Sequence, residues 1–115
     1  MKPEKFQVFF KTFINPGTLA DIKIKTNEIE DFLSSGGKRR INLDPGYLTL
    51  SKIVLASTKD YSHRIYLGKG IYAETTLIYK GGIYTPHLFT YRDYQDKKCI
   101  ELFANARAML KKMSS

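Results

Sequence analysis

The chain has 115 residues, of which 43% are hydrophobic and 26% charged, and its formal net charge is +8. Those values fit one folded domain over residues 1–115 with a modest core, and they exclude a disordered chain. No apolar run of about 18 residues is present to cross a membrane, and the lone Cys99 cannot close an internal disulfide, so a cytoplasmic protein is expected.

In chain order, Phe6 to Phe13 (FQVFFKTF) is aromatic and β-branched and predicts a buried strand. Asn15-Pro16 then opens a helix, with Asn as the cap and Pro in the first helical position. Leu19, Ile22, Thr26, Ile29 and Leu33 recur at helical spacing and predict its packed face, and Gly36-Gly37 ends it. From Lys38 to Leu43 apolar and polar residues alternate, as in a half-buried strand, before the turn Asp44-Pro45-Gly46. Tyr47 to Thr58 contains the short apolar run SKIVLAS, which fits a strand or a short buried helix.

His63 to Leu67 and Ile71 to Tyr79 predict a β-hairpin about Gly68-Lys69-Gly70. A three-residue loop would set Leu67 opposite Ile71, Tyr66 opposite Tyr72 and Arg64 opposite Glu74. Ile65, Leu67, Ile71 and Ala73 would then form an apolar face, with Arg64, Tyr66, Tyr72 and Glu74 on the other. Gly81-Gly82 turns the chain into a third strand, Ile83 to Thr85, which Pro86 stops or places at an edge. From about Asp93 a helix carries Cys99, Phe103, Ala106 and Leu110 on one stripe. The fold class is α+β: a mostly antiparallel sheet of about four or five strands, with helices near residues 16–35 and 93–112.

The charge is concentrated. Residues 36–70 hold seven basic and two acidic side chains, and residues 92–115 six basic and three acidic, whereas the remaining segments balance. A localised basic excess suits an anionic partner, although a solvated basic surface gives the same count. Within the basic segment, Arg64 opposite Glu74 could hold a phosphate, or could be an ordinary cross-strand ion pair. Tyr66 and Tyr72 beside it offer rings on which bases stack. His63 is a candidate acid/base with Glu74 or Asp60 as its partner, and Lys59 a candidate phosphate contact. The alternative is a polar turn leading into a strand.

Arg39, Arg40 and Lys69 complete the candidate phosphate contacts, and Asp44 is the remaining candidate ligand-binding residue. Gly68-Lys69-Gly70 reads more simply as a turn requiring positive φ. Cys99 on an apolar stripe is a packed thiol. His63, His87 and Cys99 lack metal-ligand spacing, so neither metal nor cofactor is expected.

Three stretches carry a resemblance: Asn42 to Leu48 (NLDPGYL), Leu55 to Asp60 (LASTKD) and His63 to Glu74 (HRIYLGKGIYAE). Together with INPGTLADIKIKTNEIE upstream and FTYRDY downstream, they resemble a bacterial and archaeal family of uncharacterised proteins, a domain of unknown function. Phe89 and Arg92 stand where that family carries Trp and Pro. Some members are labelled GTP-binding. Thr58-Lys59-Asp60 lacks the spacer of the guanine-recognition tetrapeptide, and no G-x-x-x-x-G-K-[ST] loop occurs.

The resemblance implies that this chain corresponds to the family's C-terminal two thirds. A strand that members carry earlier would then be missing, leaving a sheet edge open to a second copy of the chain. It brings no assigned chemistry. The expected functions are therefore binding of a nucleotide or RNA by a basic-aromatic sheet face, acid/base chemistry at His63 on a phosphorylated small molecule, or self-association without a ligand.

Overall fold

The computed structural model describes residues 14–34, 43–90 and 94–114. The strand expected over Phe6–Phe13, the Gly36-Gly37 helix stop and the strand residues Lys38–Asn42 lie outside them. A 3-10 turn, Pro16–Thr18, leads into α1, Leu19–Phe32. Five strands follow: β1 Gly46–Leu48, β2 Lys52–Ser57, β3 Arg64–Gly68, β4 Ile71–Lys80 and β5 Ile83–Pro86. The chain then forms α2, Lys97–Ser114. Among the described residues no helix is long and apolar enough to cross a membrane.

Asn15 caps the 3-10 turn as its sequence position suggests, its side chain accepting from the Gly17 amide at 2.9 Å. The packed face of α1 differs from the expected stripe. Leu19, Ala20, Lys23 and Glu30 are buried, whereas Ile29 and Leu33 are exposed. The reason is polar. Lys23 Nζ donates to the Leu43 carbonyl at 3.2 Å, and Glu30 Oε1 accepts from the Leu43 amide at 2.9 Å. Two long side chains two helical turns apart thus satisfy both backbone groups of one residue that lies in no strand.

The ambiguous stretch after Asp44 resolves as a hairpin, β1 against β2, with Tyr47 opposite Val54. Gly46 is required there, because a Cβ would lie 2.3 Å from the Val54 carbonyl oxygen and 2.6 Å from a Leu55 methyl. The sheet is antiparallel throughout. β4 is its central strand, with β2 along one side and both β3 and β5 along the other. β3 pairs with residues 71–74 of β4 and β5 with residues 77–80. Among the described residues, the outer side of β4 is therefore without a strand partner at Thr75 and Thr76.

Alternate residues of β4, namely Ile71, Ala73, Leu77 and Tyr79, face the helices. Leu19, Ala20, Val54, Ala56 and Ile71 form one cluster under α1. Ile53, Leu77, Tyr84 and Phe103 form another under α2, with Cys99 packed against it as the stripe predicted. A bulge between Ile53 and Val54 lets these neighbours serve different clusters.

The β3–β4 hairpin keeps the expected pairs Arg64–Glu74 and Tyr66–Tyr72, but Gly68 rather than Leu67 faces Ile71. The loop is the two-residue turn Lys69-Gly70, with φ of 55° and 78°, and Leu67 is bulged out. The two faces also depart from expectation. Ile65 is 72% exposed and Leu67 is exposed, while Arg64 and Glu74 are turned inward. Among the described strands β3 lies at the edge of the sheet, and α1 packs on β2 and β4. An apolar residue on β3 therefore gains little cover, whereas a paired charge on the opposite face is enclosed.

Candidate functional site

The side chains of chemical interest lie on the sheet face away from the helices, centred on Glu74. Its β3 neighbour is Arg64 and its β2 neighbour is Leu55. Glu74 retains 4% of its side-chain exposure, and three groups reach it. His63 Nε2 contacts Oε1, Arg64 Nη2 lies 3.5 Å from the same oxygen, and the Thr76 hydroxyl donates to Oε2 at 3.3 Å. A buried carboxylate needs such partners, because desolvation of an isolated one is prohibitive.

Arg64 crosses the central strand to reach β2. Its Nη1 donates to Ser57 Oγ at 2.8 Å and to the Lys59 carbonyl at 3.2 Å, and the guanidinium carbon lies 4.4 Å from the centre of the Tyr61 ring. The side chain is 4% exposed, and its Nε is buried without a partner among the described residues. Arg64 is therefore an internal brace for Glu74 and for the loop after β2. It is not a cation offered to a phosphate in solvent.

His63 sits at the mouth of this network with 16% of its side chain exposed. The Nε2–H donates to Glu74, which leaves Nδ1 with a lone pair in the neutral ring. Phe89 stacks on the imidazole, with centroids 4.4 Å apart and planes 5° from parallel, and Tyr61 lies 6.2 Å away. Phe89 belongs to the turn His87–Thr90, which fills the gap on the outer side of β4. Thr90 Oγ1 donates to the Thr76 carbonyl at 2.7 Å, and His87 Nε2 contacts the Thr75 carbonyl.

Of the residues singled out from the sequence, His63, Arg64 and Glu74 converge, joined by Ser57 and the backbone of Lys59. The partner of His63 is Glu74. Asp60 is exposed, and its effect falls on Tyr72, whose hydroxyl is pushed up by burial and then by the charges of Asp60 and Tyr66. Tyr66 and Tyr72 form a tilted pair with centroids 5.1 Å apart, and the Tyr66 hydroxyl accepts from the Gly70 amide at 3.2 Å. Lys69 is drawn to Asp21 on α1 at 2.5 Å, with both side chains well exposed. Asp44 is exposed and accepts from the Tyr94 hydroxyl at 3.3 Å. Arg39 and Arg40 lie outside the described residues.

The chain belongs to the DUF4416 family, described as a domain of unknown function, which matches residues 2–110. No curated protein and no solved structure matches it. In this DUF4416 domain the contributions of Thr76, His87 and Phe89 were missed in the sequence. One signal was available: Glu74-Thr75-Thr76 places hydroxyls in the middle of an otherwise apolar strand, where each buried one must find a partner.

Proposed function

We propose that this domain performs acid/base chemistry on a small anionic substrate, with a phosphorylated molecule as the favoured class. The contact of His63 Nε2 with the buried Glu74 carries the reading. The carboxylate fixes the ring tautomer and leaves Nδ1 to exchange a proton with substrate or water. The imidazolium that forms on proton uptake is stabilised by the negative charge behind it. Arg64 and Thr76 hold the carboxylate in place, and Lys59, exposed in the loop after β2, supplies the positive charge for the substrate anion.

The test is a panel of phosphorylated small molecules incubated with the full chain and followed by phosphorus NMR. His63→Gln should abolish turnover, while Lys59→Ala should raise KM. Turnover that survives His63→Gln, or no turnover and no phosphate-induced change in the His63 ring signals, would refute the proposal.

A second reading is supported by the Tyr66–Tyr72 pair on the same face, in which Tyr66 is exposed and Tyr72 half-buried. These rings suit a nucleotide or single-stranded RNA, with Lys59 and Lys69 meeting phosphates. Fluorescence titration with short RNA should then show salt-dependent binding that Tyr66→Ala weakens. No binding at low salt excludes this reading.

A further inference from the structure

We infer that His87 is a positioning residue for His63, acting through Phe89 and only in its neutral Nε2–H form. The inference deepens the acid/base reading and rests on it for its meaning in catalysis. Glu74 holds the His63 ring at one atom. A planar ring held at one atom still needs its plane fixed, and the parallel face of Phe89 at 4.4 Å fixes it. The position of Phe89 is in turn set by His87. The Phe89 amide donates to His87 Nδ1 at 3.1 Å, and the His87 amide donates to Thr90 Oγ1 at 2.9 Å. The Thr90 amide closes the turn on the His87 carbonyl at 3.1 Å.

These contacts assign the tautomer. Nδ1 must carry a lone pair to accept from the Phe89 amide, so the proton resides on Nε2, where it is donated to the Thr75 carbonyl. Both ring nitrogens of His87 are thus committed to the turn and to the strand gap. A second proton on Nδ1 would set two N–H donors against each other at the Phe89 amide, and the turn would have to open. Phe89 would then leave His63. Among the described residues, the ionisable groups around His87 are His63, 6.4 Å away between ring centres, and behind it Glu74 on β4 and Arg64 on β3, which bond to each other. Among the described residues of the segment that follows, the neutral Gln95 amide reaches the turn, donating to the Thr90 carbonyl at 2.8 Å.

The device is tested by proton–nitrogen correlation NMR of the imidazole rings in the full chain. His87 should show the Nε2–H tautomer, and the His63 ring protons should be shifted upfield by the Phe89 ring. Phe89→Leu identifies that shift by removing it. His87→Asn keeps a side-chain acceptor for the Phe89 amide and should preserve the shift, whereas His87→Ala should lose it. An Nδ1–H tautomer for His87 in the parent chain would overturn the inference, as would a His63 shift that is retained in His87→Ala. None of these readouts needs a substrate, so failure of the acid/base reading is seen separately, in turnover by His63→Gln.

Discussion

Replacing Glu74 with glutamine isolates the charge at the centre of the site. A Gln oxygen in place of Oε1 still accepts from His63 and Arg64, and its amide can donate to the Thr76 hydroxyl, which rotates to suit. Shape and hydrogen-bond count are kept, and the negative charge is lost. At 3.5 Å, with an effective dielectric near 20, the gross attraction between Arg64 and Glu74 is about 5 kcal/mol. Removing one partner of a buried pair costs about 3–5 kcal/mol. Arg64 keeps Ser57 and the Lys59 carbonyl as acceptors, so the lower end, about 3 kcal/mol, is expected. That is a large share of the ~5–15 kcal/mol available to a domain of this kind.

Urea denaturation followed by circular dichroism would measure the loss, and a cycle with Arg64→Met would isolate the pair. The double variant should be less destabilised than the two single losses combined, because no buried charge is left alone. A Glu74→Gln protein within about 1 kcal/mol of the parent, or strict additivity in the cycle, would refute the enclosed ion pair.

Other outcomes follow from the same geometry. Burial pushes the Tyr84 hydroxyl up to about 12, against 10.0 for a free tyrosine, and it donates to the Thr49 carbonyl at 2.6 Å. Stability from this group is intact below pH 10 and is lost as pH rises toward 12, since the unfolded chain ionises first. The difference in urea midpoint between parent and Tyr84→Phe should therefore change across that window, and a constant difference would contradict the burial. Gly46→Ala should destabilise by about 1–3 kcal/mol in the same assay, because its Cβ meets backbone of β2. Asp21→Asn should change stability by less than about 1 kcal/mol despite its short contact with Lys69, because both groups face water. If the β3 edge pairs with a second copy, sedimentation will depend on concentration, and Ile65→Lys will leave a monomer.

The hairpin of β3 and β4 was readable in the sequence because its register rests on local signals. Glycines flank a turn that requires positive φ, and the pairs Arg64–Glu74 and Tyr66–Tyr72 follow from counting outward. Its faces were misread because hydropathy says nothing about where a strand sits in its sheet. Ile65 lies on an edge beyond the reach of α1, whereas Arg64 finds Glu74, Ser57 and a backbone carbonyl and can be enclosed. The same failure rotated α1. A periodic Leu/Ile stripe ignores Lys23 and Glu30, whose burial depends on Leu43, thirteen or more residues away. The roles of His87 and Phe89 were not readable at all, since they depend on β3 and β5 sharing one side of β4 and leaving a gap between them.

The grip of α1 on Leu43 has a consequence for exchange with solvent. The Leu43 amide belongs to no strand, yet it is bonded to a buried carboxylate from the helix. Its deuterium uptake should therefore be slow, and should speed up when α1 lifts from the sheet even while the β-ladder stays intact. A single backbone proton would thus report the docking of the helix separately from the folding of the strands, and Glu30→Gln would shift that one rate while leaving the amides of β4 unchanged.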